Sequence, residues 1–374
     1  MMTNFIMSIF RLVIVLLIWS ISFNAQSFAK KNVPQNLIDK YYQPNYTSNF
    51  YKLKNIKIVQ KSVLKGKDHT EVLQRILNTY QIILLPNETI FINKNGLKIG
   101  SNKKLLFQKN TKIKFLGGTE GKLSDVLKIY DAKNVEIINP VIIGSRYLKT
   151  EQTGQWNGGI SVLNSSNVTI INPKITESFG DGITIGSEDG GFSENVIVKG
   201  GWIDTARRNG ISITSGKNVT VQNILVSNTY EHEPEAGIDI EASWNKDRLE
   251  DIFIKDVCTY NNSSMGISIN LNGLATDKIQ EVKFTSITID GHEDIESRHG
   301  LLTSLNTVPR TFDTNGYIIV KNVSWKESRE ISYWKSQQNH SINITFSNVR
   351  IDDLQKKVQF ENSIKNLKNI KLLR

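Results

Sequence analysis

The phrase Gly182-Ile183-Thr184-Ile185 decides the fold, because the pattern Gly-Ile-x-Ile/Val recurs along the chain. The other four copies are Gly159-Ile160-Ser161-Val162, Gly210-Ile211-Ser212-Ile213, Gly237-Ile238-Asp239-Ile240 and Gly266-Ile267-Ser268-Ile269. The five copies begin 23, 28, 27 and 29 residues apart, and a second phrase, Asn-Val-x-Ile/Val, interleaves with them. Short β-branched runs that recur at such a period, with Gly, Asn, Asp and Ser between them, are typical of a β-solenoid.

Alternation within each phrase predicts which side chains lie inside the solenoid. The two apolar positions of every copy point to one face of the strand, and the Ser, Thr or Asp between them points to the other. Strands that repeat without intervening helices pair with the equivalent strand of the next turn. We therefore expect an all-β fold, a right-handed parallel β-helix. The alternative is a sandwich or an antiparallel barrel, but neither requires equivalent strands to recur with the same residue types.

A short capping helix is expected at the N-terminal end of the solenoid. Apolar residues stand at helical spacing between His69 and Tyr80, which places the cap near residues 66–80 and the first strands at 82–85 and 89–92. A solenoid needs a cap because its end strands expose unpaired backbone groups. No Pro/Gly/Ser-rich linker interrupts the chain, so we expect residues 30–374 to form a single domain.

The asparagine that begins the second phrase is interpreted as a turn residue. Several copies, including Asn167 and Asn218, also read Asn-x-Ser/Thr. Because asparagine tolerates turn conformations and hydrogen-bonds its stacked neighbours, we expect a ladder of asparagines rather than glycosylation sites.

The first 29 residues read as a signal peptide. Arg11 precedes an apolar run at 12–23 that is too short to span a bilayer as a mature helix, and small residues follow at 27–29. We expect a secreted or periplasmic protein, a monomer, with no membrane contact after cleavage. An uncleaved anchor is the alternative.

The net charge of +10 favours an anionic partner such as an acidic glycan, although the lysines are spread along the chain as on a solvated surface. A nucleic-acid partner is not expected behind a signal peptide. Cys258 is the only cysteine, which excludes an intramolecular disulfide, and no Cys/His cluster has the spacing of a zinc site.

The segments Gly180-Asp181-Gly182 and Arg208-Asn209-Gly210 occupy adjacent turns. They resemble the Gly-Asp-Asp and Gly-His-Gly segments of polygalacturonases, glycoside hydrolases of the pectin-lyase-like β-helix superfamily. The resemblance covers roughly residues 60–290 and implies a polysaccharide substrate. Asp181 matches the first acid of the pair, whereas Gly182 stands at the second acid position and Asn209 at the histidine position. Inverting hydrolysis needs two carboxyl groups, so the mechanism cannot be carried over residue for residue.

Outward positions of the middle turns supply the candidate catalytic residues. Asp239 and Glu241 lie on the same side of one predicted strand, about 7 Å apart by strand geometry. Two carboxyl groups can divide into general acid and base when their environments separate their pKa values; otherwise they are a solvated pair. Asp181 joins them through the resemblance, although Asp in a turn also caps backbone. His232, in the acidic loop 230–235, is a candidate general base.

The candidate substrate-binding residues are polar or aromatic and lie on or beside the same turns: Glu177, Arg207, Arg208, Asn209, Asn270, Trp156 and Trp244. A guanidinium group binds a uronate carboxylate in bidentate fashion, and an indole ring stacks on the apolar face of a sugar. We expect no metal and no cofactor. Calcium bound by the 230–235 loop is the alternative, but the loop matches no defined calcium motif.

Three functions stay open at this point. The first is a glycoside hydrolase acting on an extracellular, acidic polysaccharide through Asp181, Asp239 and Glu241. The second is a lyase or C5-epimerase acting on a uronic-acid polymer through the two arginines and His232. The third is a non-catalytic glycan-binding protein or surface adhesin, which predicts that the three acids do not converge on a groove.

Overall fold

A computed structural model of the chain describes residues 28–46, 48–117, 124–148, 154–155, 157–275, 283–305, 314–330, 333–336 and 341–373. The predicted signal peptide, residues 1–29, lies outside these ranges except for its last two residues, and it stays a prediction. From Lys31 to Arg374 the chain forms one compact unit. Within the described ranges, no helix is long and apolar enough to cross a membrane.

The strands form three parallel rows. The front sheet contains β4 Leu97–Lys98, β7 Leu127–Tyr130, β10 Ile160–Leu163, β13 Ile183–Gly186, β16 Ile211–Ile213, β19 Ile238–Glu241, β22 Met265–Asn270, β25 His299–Leu305 and β27 Tyr333–Ser336. The back row contains β1 Ile56–Ile58, β2 Ile82–Leu84, β5 Lys103–Leu106, β8 Lys133–Ile138, β11 Ser166–Ile171, β14 Ser193–Lys199, β17 Gly216–Gln222, β20 Leu249–Lys255, β23 Lys283–Asp290, β26 Thr314–Lys326, β28 Ser341–Ile351 and β29 Ile370–Leu373.

The side row contains β3 Thr89–Ile92, β6 Lys112–Phe115, β9 Val141–Ile143, β12 Lys174–Thr176, β15 Trp202–Asp204, β18 Leu225–Ser227, β21 Cys258–Tyr260 and β24 Glu293–Ile295. The long strand β26 pairs in both the back row and the side row. Each turn from β2 to β25 therefore contributes one strand to each row, and every strand pairs with its equivalent one turn away. The predicted parallel β-helix is confirmed.

Equivalent apolar residues stack in register through the interior. In the front sheet the column comprises Ile160, Ile183, Ile211, Ile238 and Ile267. All five are fully buried, and burying each such side chain stabilises the fold by about 1.5–3 kcal/mol. The polar residue that follows each of them points away from this core, as the alternation predicts.

The asparagine ladder runs along the back row. The side-chain amide of Asn134 donates to Asn102, that of Asn167 to Asn134, and that of Asn195 to Asn167, at 2.9–3.1 Å. Asn218 continues the ladder with a 2.7 Å bond to Asn195. All five residues have φ between 53° and 58°, a left-handed conformation that asparagine tolerates better than most residues. The ladder accounts for the asparagines structurally.

The N-terminal cap is the helix α2, Thr70–Thr79, which follows α1, Gln35–Tyr41. Leu73 and Leu77 of α2 are buried in the main core, as predicted. The first strand, however, is β1, which pairs with β2 and precedes both predicted first strands. The prediction missed it because a three-residue strand carries no repeat of its own.

The C-terminal end is covered by the helix α3, Leu354–Ile364. Phe360 of α3 packs edge-on against Trp325 and Phe346, with ring centroids 5.4 and 5.2 Å apart. This aromatic cluster closes the core at its C-terminal end, where no repeated phrase predicts a cap.

Candidate active site

A cleft of about 280 Å³ opens on the outward face of the front sheet. Residues from five successive turns line it: Asp125, Gln155, Gly158, Ser161, Leu163, Asp181, Thr184, Ser187, Glu188, Arg208, Thr214, Ser243 and Trp244. Trp244, one of the predicted sugar platforms, is 52% exposed at the rim. An exposed indole beside a polar cleft provides a stacking surface for a sugar ring.

Asp181 lies in the turn that leads into β13. Its Oδ1 accepts a hydrogen bond from the backbone N–H of Asn209 at 3.1 Å, and its Oδ2 accepts one from Arg208 Nη1 at 3.0 Å. The side chain is buried except where it lines the cleft. Asp181 therefore both holds the next turn in place and presents a carboxylate to the cleft.

Arg208 joins two of the predicted acids. While Nη1 bonds to Asp181, Nη2 lies 3.9 Å from Glu241 Oε2. The Asp181 charge is the main cause of a raised pKa at the Arg208 guanidinium. Glu241 also accepts a 2.6 Å hydrogen bond from Asn270, another predicted site residue. The structure thus brings Asp181, Arg208, Glu241 and Asn270 into one hydrogen-bonded and ion-paired group.

Asp239 lies beneath this group and is only 1% exposed. It is therefore not a solvated carboxylate, the alternative to a catalytic role that the sequence left open. Asn209 Nδ2 donates to Asp239 Oδ2 at 3.2 Å and to Ser212 at 3.0 Å, and Asn209 Oδ1 accepts from the backbone N–H of Ala236 at 3.0 Å. Asn209 is itself fully buried. It therefore positions Asp239 and the neighbouring turns, although it was predicted to contact substrate.

The environment of Asp239 favours its protonated form. Burial, followed by the nearby Glu241 charge, raises the pKa of Asp239 well above its ordinary value, while Arg208 and the Ser268 hydroxyl lower it. Asp239 Oδ1 accepts no well-formed hydrogen bond within the described residues. The Asp239 carboxyl group is therefore placed to hold a proton beside the Glu241 charge.

Asp125 lines the cleft and was missed in the sequence. Its Oδ1 accepts from the backbone N–H of Gly158 at 2.7 Å, and its Oδ2 accepts from the Tyr130 hydroxyl at 2.8 Å. Asp125, Gly158, Asp181 and Asn209 each stand two residues before the first strand residue of their turn, so they form one column across the sheet. Aligning the turns by that column would have revealed a second acid equivalent to Asp181.

Gly182, at the second acid position of the polygalacturonase segment, has no room for a carboxylate. A Cβ built there would lie 2.5 Å from a methyl group of Ile203 and 2.6 Å from the Gly210 carbonyl oxygen. The departure from the polygalacturonase pattern at this position therefore follows from packing against the core.

Three other predicted residues lie beside the cleft without lining it. Arg207 stacks on Phe179 and bonds to Glu231 at 3.1 Å and to the Gly154 carbonyl at 2.7 Å. His232 is half-buried, and burial together with the two arginines lowers its pKa. Glu177 lies near Tyr147, whose pKa is raised by burial first and by the Glu177 charge to a smaller extent. Trp156 lies outside the described residues.

The acidic loop shows no cluster suited to a metal. Glu231 bonds to Arg146 and Arg207, each at 3.1 Å. Within the described part of the chain, no three His, Cys, Asp or Glu side chains are grouped so that they could hold a metal ion.

Sequence comparison finds two kinds of match. The family model described as "Right handed beta helix region" matches residues 76–246 and, overlapping them, 129–308. The uncharacterized protein YclG of Bacillus subtilis (strain 168) is 27% identical over 206 residues, which are 46% of this chain and 35% of YclG. The match thus spans about a third of that relative's length.

Solved structures with the same fold carry several functions. The polygalacturonase of Erwinia carotovora ssp. carotovora superposes with a TM-score of 0.55 at 15% identity, over 92% of this chain and 96% of its own. The tailspike protein gp49 of Acinetobacter baumannii bacteriophage Fri1, a capsular polysaccharide depolymerase, gives 0.54 at 14%, over 86% and 62%. PfbA, a surface adhesin of Streptococcus pneumoniae, gives 0.59 at 13%, over 77% and 76%.

Identities this low show the fold alone, and the three named functions differ. The family model, in contrast, covers more than half of the chain. The chain therefore belongs to the right-handed β-helix family, and the polygalacturonase shares its fold.

Proposed function

We propose that the protein is a secreted or periplasmic, monomeric glycoside hydrolase that cleaves a polysaccharide lying along the front sheet. One observation carries the proposal: Arg208 lies between Asp181 and Glu241 at the cleft and contacts both carboxylates. The second carboxyl group that hydrolysis requires, absent at Gly182, is thus available two turns away.

The carboxyl groups have different environments and are assigned different roles. Asp181 accepts hydrogen bonds from Arg208 and the Asn209 backbone and lines the cleft, so it is assigned the role of general base. Burial favours the protonated form of Asp239, so Asp239 and the neighbouring Glu241 are assigned together as the acid. Glu241 delivers the proton, because it is the member of the pair with exposed surface. These roles call for no metal and no cofactor.

The spacing of the turns favours inversion at the anomeric carbon. Asp181 precedes β13 and Glu241 ends β19, two strands further along the front sheet. Adjacent strands lie about 4.8 Å apart, so these residues are about 10 Å apart along the axis. Carboxyl groups of inverting glycosidases are about 6.5–9.5 Å apart, against about 5–5.5 Å in retaining ones. The axial separation is close to the upper end of the inverting range and about twice the retaining separation, so it favours inversion.

A lyase or epimerase is less well supported. Elimination next to a uronate carboxylate requires a base and a cation that neutralises the carboxylate. Both predicted cations are engaged: Arg207 with Glu231, and Arg208 with Asp181 and Glu241. A purely glycan-binding role is less well supported because two of the three predicted acids reach the same guanidinium and the third lies beneath them.

The test is incubation with a panel of neutral, amino-sugar, uronate and sulfated polysaccharides, following both new reducing ends and the absorbance of unsaturated uronate. We expect reducing ends without absorbance. Asp181→Asn and Glu241→Gln should abolish them, whereas the matched change Glu194→Gln in β14, on the back row, should not.

Absorbance from unsaturated uronate would replace the hydrolase with a lyase. Silence on every polysaccharide, with folding verified by circular dichroism, would favour a binding protein or an epimerase.

A further inference from the structure

We infer that the cleft takes a glycan without negative charge, whose hydroxyl or amino groups donate hydrogen bonds to the carboxylates that line it. This inference rests on the proposed function and names its substrate class. It departs from the acidic substrate expected from the net charge of +10.

The local charge of the cleft is opposite to that of the whole chain. Among the described residues that line it, Asp125, Asp181 and Glu188 carry carboxylates, and only Arg208 carries a positive charge. Glu241 stands immediately behind, at 3.9 Å from the same guanidinium. A uronate or sulfate group would therefore meet several carboxylates and a cation that already has two anionic partners.

The neighbouring cations are directed elsewhere. Lys128 Nζ, on the turn before Gly158, donates to the backbone carbonyl of Asn95. Lys246 Nζ lies 3.4 Å from the carbonyl oxygen of Asp189, and Arg207 is held by Glu231. The positive charge of the chain is thus spread over other surfaces, and none of these three residues lines the cleft.

Asp125 and Asp181 form a pair of acceptors on either side of a glycine. They are equivalent residues two turns apart, and Gly158 lies between them. A Cβ at Gly158 would lie 2.8 Å from Asp125 Oδ1 and 3.0 Å from the Asp181 carbonyl oxygen, so a side chain there would crowd Asp125. Carboxylates accept hydrogen bonds and donate none, so a ligand that contacts Asp125 and Asp181 in the cleft must supply the donors.

An independent feature indicates a sugar ligand. Trp244 closes one side of the cleft with its indole ring 52% exposed, which suits the apolar face of a pyranose. Acceptor carboxylates beside an aromatic platform match a ring whose edge carries hydroxyl or ammonium groups. Repulsion of like charges lowers affinity for an anionic ring in the same place.

The test is binding of the wild-type protein to an array of glycans of matched length from four classes: neutral, free-amine, uronate and sulfated. The fraction of the signal that Trp244→Ala removes is assigned to the cleft, which separates it from attraction to the basic outer surface. We expect the Trp244-dependent signal on neutral or free-amine glycans to exceed that on uronate and sulfated glycans at least tenfold at low salt. Combining Asp125→Asn with Glu188→Gln should reduce that ratio at least threefold.

A Trp244-dependent signal on uronate or sulfated glycans that equals or exceeds the others would overturn the inference, and so would its absence from every class. Failure of this inference can be distinguished from failure of the proposed hydrolase function. Release of reducing ends from an anionic glycan, lost in Asp181→Asn, would reject the substrate class and keep the hydrolase. Trp244-dependent binding of uncharged glycans without any cleavage would reject the hydrolase and keep the substrate class.

Discussion

The back row and the front sheet are built from the same repeat and use it in different ways. In the back row, equivalent positions hold the same residue, and each asparagine from Asn102 to Asn218 bonds to its neighbour. In the front sheet, the column that begins at Asp125 continues with Gly158, Asp181 and Asn209, four positions with three different side-chain chemistries. In a solenoid, a residue type that recurs at equivalent positions indicates a structural role. A position where the residue type changes from turn to turn indicates a functional site.

The largest effect is expected where the front sheet breaks the repeat. Asp181→Asn removes the proposed base while leaving an acceptor for the Asn209 backbone, so we expect hydrolysis to fall about 10³-fold with little change in melting temperature. Initial rates of reducing-end release measure it, with Glu194→Gln as control. A loss below about tenfold would remove Asp181 from the reaction.

Substitutions in the back row should change the free energy of unfolding and leave the catalytic rate unchanged. Asn167 makes two ladder bonds of 3.1 Å and has φ of 56°. Asn167→Ala loses both bonds and places alanine in the left-handed region, which should lower the free energy of unfolding by about 3 kcal/mol. Asn167→Gly, which tolerates that φ, should cost about 1 kcal/mol less. Urea titration measures both values, and a change in kcat of the folded variants would contradict the division between the rows.

A glycine of the front sheet should affect the site where a matched glycine does not. In Gly158→Ala the new Cβ would lie 2.8 Å from Asp125 Oδ1 and displace that carboxylate, so we expect kcat/KM to fall about tenfold. Gly100→Ala is the control, because a Cβ there meets nothing within 4 Å. Equal kinetics for the two variants would exclude a role for the position of Asp125.

The smallest effect concerns pH. The Ser268 hydroxyl lowers the raised pKa of Asp239, so Ser268→Ala should raise that pKa further. Because the proposed acid works in its protonated form, activity falls as pH rises through this pKa. The alkaline limb of the kcat profile should therefore move to higher pH, by less than about one unit.

Ser193→Ala, which removes a buried serine whose hydroxyl bonds to backbone groups distant from the site, is the control for the pH profile. A shift of the alkaline limb to lower pH in Ser268→Ala would contradict the assignment of the acid.

The fold was predictable because a solenoid encodes its register in its period. The five Gly-Ile copies predicted the front strands β10, β13, β16, β19 and β22, and their outward residues Thr184, Ser212, Asp239 and Ser268 form one column in the structure. The elements that were missed, α1, β1 and the C-terminal cap, occur once each, so no repeat indicated them. An element that occurs once is stabilised by the residues on which it packs, and those residues are distant in the sequence.

The candidate site was only partly predictable for a similar reason. Asp181, Arg208 and Glu241 project from repeated positions, and the sequence placed them on neighbouring turns. The burial of Asp239 and Asn209 depends on hydrogen bonds that cross turns, including the one from the Ala236 backbone. Asp125 was missed because its turn reads Asp125-Val126-Leu127, without the glycine that marks the repeated phrase.

The most direct test of the central claim is a crystal structure of Asp181→Asn with an oligosaccharide from the polysaccharide that the wild type cleaves. We predict that the chain of sugars crosses the front-sheet strands beside Trp244, with one glycosidic oxygen facing Glu241 and position 181 on the opposite side of that sugar. A glycan bound elsewhere, for example against Tyr147 and Tyr230, or with both carboxyl positions on one side of the linkage, would contradict the account.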